Sequence, residues 1–166
     1  MQDDSKGLTR FYVGWAEYQR LLVEAIAPLS EEQLALRAAP GLNPLWYLAA
    51  HVAGTRVGWF ELLRETDSSV LEFKTWDEAD DIETLQRRTA AELVTALNAS
   101  WEMVARCLER WTPDMLGEVF EHQEYDGTIA KDTRGWVLWH VLEHDLHHGG
   151  EISLTLGAHG LAGIGI

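Results

Sequence analysis

Apolar residues recur at helical spacing through Leu8, Phe11, Tyr12, Trp15, Leu22 and Ile26, with Glu17, Arg20 and Glu24 on the positions between them. This pattern predicts a first long helix. Ser30-Glu31-Glu32-Gln33 has the form of a capping box, in which the serine side chain and Gln33 satisfy free amides at a helix start. It predicts a short turn before Ala39-Pro40-Gly41. Asn43 as N-cap and Pro44 in the first turn then start a second long helix, running through His51 and Trp59 to about Arg64.

Helical periodicity lapses from Glu65 to Ala79. Asp80-Asp81-Ile82-Glu83 restores it with an acidic start suited to the helix dipole. The stripe Ile82, Leu85, Leu93, Leu97, Val104, Leu108 and Trp111 predicts a third helix of about eight turns, stopped by Thr112-Pro113. Between Gly117 and Lys131 a loose alternation around Val119, Phe120, Tyr125 and Ile129, with Asp126-Gly127 among them, predicts a small hairpin or an extended loop. Thr133 can cap a fourth long helix through Trp136, Val137, Trp139 and Leu142 to about Leu156, before Gly157. The expected fold class is all-α, a four-helix bundle. No repeat, low-complexity run or Ser/Pro-rich linker divides the chain, so residues 1–166 are expected to form one domain.

Composition fits that plan. A chain of 166 residues with 46% hydrophobic content is large enough to bury roughly 68–70% of its unfolded surface. Eight tryptophans supply much of that area and could also wall a pocket. Twenty-seven acidic against 13 basic residues leave a net charge of −14, which opposes any phosphate backbone or anionic lipid surface. Neither nucleic acid nor membrane is expected as a partner. The most apolar stretch, Leu42 to Ala53, falls far short of the roughly 20 residues of a membrane span. The lone Cys107 can form no internal disulfide, and MQDDSKGL lacks the basic and apolar regions of a secretory signal, so a cytoplasmic protein is expected.

The chemistry concentrates in histidines. His140, His144, His147 and His148 all fall within WHVLEHDLHHGGEI. Taking His140 as zero at roughly 100° per residue, His144 falls at about 40°, His148 at about 80°, His147 at about −20° and Glu151 at about 20°, all on one helix face. His144 and His148 are spaced i, i+4, so their imidazoles can converge on one ion at about 2.0–2.1 Å. A catalytic ion ordinarily has three protein ligands and one open position. His51 is the strongest third candidate, because its stripe of Leu48, Thr55, Gly58 and Leu62 is apolar or small and should face the interior, with Gly54 and Gly58 leaving room beside it. His122 and His159 lie in loop-like surroundings and are expected at the surface.

Two segments, PLWYLAAHVAG around His51 and HDLHHGGEI around His144 and His148, make the chain resemble the DinB/YfiT-like superfamily of four-helix bundles with a histidine metal site. Carried over position by position, the resemblance implies His51, His144 and His148 as metal ligands. It also implies an up-down-down-up helix order with Glu65 to Ala79 as a long crossover between helices two and three, and it allows a homodimer. The chain departs from the family in having Gly149 where relatives often carry Arg, and Glu151 where Gln is common.

Three neutral imidazoles leave a divalent ion its full charge, so a water or thiol in the open position becomes a nucleophile near neutral pH. The resemblance makes S-transfer from a small cofactor thiol to an electrophilic small-molecule substrate the leading expectation, with that substrate entering a tryptophan-rich pocket. Glu151, His140 and His147 are candidates to orient a ligand imidazole or relay a proton. Imidazole suits zinc, nickel, iron and cobalt, of which zinc and nickel are favoured. The alternatives are a metal-dependent hydrolase, which would need no thiol, and a non-catalytic metal- or ligand-binding stress protein. A zincin is disfavoured because Asp145, not Glu, follows His144, and a di-iron bundle because Leu146 stands three residues after Glu143. Cys107, on the buried-looking side of helix three, is expected to be inert packing.

Overall fold

In the computed structural model, which describes residues 7–78, 81–123 and 126–165, helix boundaries follow the capping chemistry. A 3-10 turn at Thr9–Tyr12 leads into α1, Val13–Ile26. Ser30 and Gln33 form the expected capping box at α2, the single turn Glu31–Leu34. The next helix, α3, spans Leu45–Leu62, but its N-cap is Pro44 and Asn43 caps nothing. The Leu36 carbonyl explains this, because it accepts from the Leu45 amide at 3.1 Å and so does the work expected of an N-cap side chain. At the other end Arg64 adopts a left-handed conformation (φ 59°), and the Glu65 amide returns to the Phe60 carbonyl at 2.9 Å. This is a Schellman-type stop with arginine in the place glycine usually takes.

The helix expected from Asp81 begins eight residues or more later, because α4 spans Ala90–Arg110. Asp81 caps only a 3-10 turn, Ile82–Thr84, after which Leu85 is extended. The stronger start is Thr89 with Glu92, a capping box that satisfies two amides reciprocally where Asp81 satisfies one. Asp80 and Tyr125 lie outside the described residues.

Residues after α4 resolve the choice between loop and hairpin. Strands β1, Val119–Gln123, and β2, Ile129–Thr133, pair antiparallel with Val119 opposite Thr133. The chain is therefore mostly helical with a small two-stranded sheet, a departure from the all-α expectation. Thr133 then accepts from the Trp136 amide at 3.1 Å and caps α5, Arg134–Ala158.

Helix α3 packs against both α4 and α5, and α1 packs against α4. Enclosure on several sides explains why α3 is apolar nearly all round: Leu45, Ala49, Ala50, Val52, Ala53, Val57 and Phe60 are fully buried. Some residues counted toward buried stripes lie outside instead. Phe11 is 77% exposed and Trp139 59%, because the core faces are taken by their neighbours Leu8, Val137, Leu138 and Val141. Among the described residues no helix is long and apolar enough to cross a membrane.

One polar network joins all four long helices inside this core. Arg56 of α3 donates to Asp145 of α5 from Nη2 at 2.7 Å and from Nε at 3.0 Å, with both side chains fully buried. Trp15 of α1 donates to the same carboxylate at 2.6 Å, and Arg56 Nη1 donates to the Leu97 carbonyl of α4 at 3.1 Å. A buried charge pair stands only when its other donors and acceptors are satisfied, as here. The residues one step earlier on the two helices, Thr55 and His144, also meet, with Thr55 Oγ1 3.3 Å from His144 Nε2. The network thus fixes the register in which His51 and His144 face one another.

Candidate metal centre

His51 projects from the middle of α3, and His144 and His148 from successive turns of α5. Their ring centroids lie 4.7 Å apart for His51 and His144, 4.8 Å for His51 and His148, and 4.3 Å for His144 and His148. One ligand nitrogen from each falls within 4.8 Å of the others, a group that could hold a metal ion. The Nε2 atoms of His51 and His144 are 3.0 Å apart, near the roughly 3.3 Å expected of two nitrogens on one tetrahedral ion.

Two of the three rings are oriented from behind by carboxylates. Asp77 Oδ2 is placed to accept a hydrogen bond from His51 Nδ1, and Glu151 Oε2 lies 2.6 Å from His148 Nδ1. Holding the proton on Nδ1 leaves the Nε2 lone pair for an ion, the arrangement that metal-ligating histidines ordinarily show. Tyr47 stacks on the His51 ring at 5.8 Å and 12° and fixes its plane. His144 Nδ1 is buried without a hydrogen-bond partner among the described residues, so packing alone orients that ring from behind.

Electrostatics favour the uncharged form of the two α5 rings. Burial, and then the neighbouring His148 and His51, push the His144 pKa down to about 3. Burial also lowers that of His148, against the opposing pull of Glu151. Neutral imidazoles crowded together present lone pairs at neutral pH, which is the state a divalent cation requires. The donor set therefore fits a metal ion.

The carboxylate behind His51 comes from the segment between α3 and α4. A 3-10 turn at Leu71–Thr75 packs against α3 and places Asp77 beside Gly54. A Cβ on Gly54 would lie 2.9 Å from Asp77 Oδ1 and 3.1 Å from the Phe73 carbonyl, so the glycine is what lets this segment approach. Sequence periodicity marks 65–79 only as a connection and gives no sign of Asp77.

Beside the histidines lies a cavity of about 640 Å³, within the usual range for small-molecule sites. Gly58 opens onto it, and its walls include Thr55, Trp59, Glu61, Lys74, Glu78 and His122. Trp59 is the tryptophan on this wall. The lining is mixed and charged rather than tryptophan-rich, because Trp15, Trp46 and Trp111 are spent in the core and Trp139 lies on the outer flank of α5.

His122, expected at the surface, sits on β1 with its side chain 16% exposed, faces this cavity and pairs with Asp132 at 2.7 Å across the hairpin. The inward phase of the strand could have signalled this. His159 is exposed as expected, with Nε2 2.9 Å from the Arg37 carbonyl.

The remaining candidates separate by contact. Glu151 hydrogen-bonds His148, whereas His140 stacks on Trp136 at 5.0 Å and meets the edge of Trp59 at 4.9 Å. His147 is exposed, with Nε2 3.8 Å from Glu151 Oε1. Cys107 is buried, and burial followed by the nearby Glu65 carboxylate pushes its thiol up to about 11, which suits packing.

The sequence profile of the DinB superfamily matches residues 15–152, a span that contains all three histidines. The chain belongs to the DinB superfamily. A DinB-like protein from Bacillus cereus has the same fold, with a TM-score of 0.67 and 16% identity over 98% of this chain and 99% of that one. A conserved protein from Enterococcus faecalis is similar, with a TM-score of 0.64 and 17% identity over 91% and 98% of the two chains. No curated protein matches the sequence significantly.

A Cβ at Gly149 would fall 1.8 Å from the Tyr18 hydroxyl, so the tyrosine of α1 occupies the space a larger residue on α5 would need. Glu151, two residues further on, is the carboxylate that holds His148.

Proposed function

We propose that this DinB superfamily chain binds one divalent metal ion, zinc or nickel, through His51, His144 and His148, and that it catalyses S-transfer from a small thiol to an electrophilic substrate. The four long helices would then form one bundle domain in up-down-down-up order, with 65–79 as the crossover that delivers Asp77. The observation that carries the metal reading is the convergence of three imidazoles, two of them set by carboxylates on Nδ1.

When bound, such an ion acts as a Lewis acid and lowers the pKa of a ligand thiol or water. The chain's own residues supply the rest. Asp77 and Glu151 hold two imidazoles in the required tautomer. Thr55 Oγ1 borders both His144 and the cavity, where its hydroxyl can donate to an entering sulfur or oxygen. Trp59 gives the substrate an apolar face, and Glu61 with Lys74, paired at 2.6 Å, offers both charges at the wall.

A hydrolase would use the same ligands, and the mixed, charged lining suits a polar ester or amide as well. Metal-loaded, tag-free protein should form thioether products from small thiols and electrophiles, and His144→Ala should abolish the turnover. Ester or amide turnover without added thiol would favour the hydrolase. Absence of both would favour a binding protein.

A further inference from the structure

Two sets of three side chains, among the described residues, bring metal-ligating atoms within 4.8 Å: His51, His144 and His148, and also His147, His148 and Glu151. His148 belongs to both. The second set lies toward solvent, with the side chain of His147 63% exposed and that of Glu151 45%, against 15% for His148. Glu151 divides its oxygens, Oε2 2.6 Å from His148 Nδ1 and Oε1 3.8 Å from His147 Nε2. Nδ1 of His148 thus addresses Glu151 of the outer set, while its ring lies against the inner histidines, with centroids 4.8 Å from His51 and 4.3 Å from His144.

We propose that His147, Glu151 and the Nδ1 edge of His148 form an outer divalent-cation site, which takes an ion from solvent and passes it to the inner three histidines. The transfer rests on reading those three as a metal site. A neutral imidazole has one lone pair and one N–H, so His148 ligates through Nδ1 or through Nε2, but not through both unless it loses its last proton. With the ion outside, Nδ1 ligates and Nε2 keeps the proton. As the ion moves inward, Nε2 gives its proton to solvent and ligates, and Nδ1 takes a proton from solvent, keeps it and donates a hydrogen bond to Glu151. The ring ends neutral, no electron is exchanged, and the two sites are alternatives. His147 supplies the exposed first contact, and the Glu151 carboxylate changes from ligand to hydrogen-bond acceptor.

Zinc alone is the probe. The double variant His51→Ala/His144→Ala removes two inner ligands and leaves the outer set whole, so it should still bind one zinc, more weakly than the unaltered protein. Adding His147→Ala should weaken that binding by about tenfold or more, the scale on which loss of a group at a metal site acts. In the otherwise unaltered chain, the exposed His147→Ala should leave the stoichiometry at one and slow zinc uptake several-fold in stopped-flow mixing. Equal affinity of the double and triple variants, or uptake by His147→Ala at the original rate, overturns the proposal. If the unaltered protein binds zinc no more tightly than the double variant, the inner site and the transfer both fail, while the comparison of double with triple variant still decides the outer site.

Discussion

Gly54 shows how one missing methyl shapes the centre. A side chain there would meet Asp77 Oδ1 at 2.9 Å and the Phe73 carbonyl at 3.1 Å, and the backbone oxygen cannot swing away. Gly54→Ala should push the 71–77 segment off α3, free His51 Nδ1 and weaken metal affinity by about tenfold or more. Calorimetric titration with zinc checks this, and unchanged affinity would remove Asp77 from the account. His144 and His148 were legible as a pair because an i, i+4 spacing is a local property of one helix. Asp77 was not, because it reaches His51 across 26 residues of sequence from a segment without period.

Among the elements, helices with strong reciprocal caps were legible, as at Ser30, but competing caps were not. Asp81 and Thr89 both have the form of a helix start, but Asp81 is followed by a single 3-10 turn and only Thr89 by an α-helix. The Arg56 and Asp145 pair was also hidden, since nothing local distinguishes a buried charge from an exposed one. It is the contact on which the register of α3 against α5 turns. Asp145→Ala should cost about 3–5 kcal/mol by leaving Arg56 charged and unpaired in the core. Adding Arg56→Met should recover only part, because the Trp15 N–H still lacks the acceptor that Asp145 supplied, worth about 1–3 kcal/mol. Urea unfolding of both variants measures this, and a small loss for the single variant would contradict it.

At the scale of the whole molecule, crowding of imidazoles ties stability to pH. In the metal-free protein, His144 stays neutral down to about 3, whereas in the unfolded chain it takes up a proton near the ordinary histidine value of about 6.5. Between those values the unfolded state binds more protons, so stability falls as pH drops through that window. The depressed His148 acts in the same direction. The melting temperature of the metal-free protein should fall from pH 7.5 to pH 5, and more steeply than that of His144→Ala. Equal slopes would show that His144 is not held neutral.

The same sign applies to the ion, which competes with protons for these nitrogens and should be released by acid. Elemental analysis of protein purified without a histidine tag, beside His51→Ala, His144→Ala and His148→Ala, tests the central claim most directly. One equivalent of a divalent transition metal in the unaltered protein, lost or sharply reduced in each variant, is the predicted result. Metal-free protein that cannot be loaded, or full metal retained in all three variants, would contradict it.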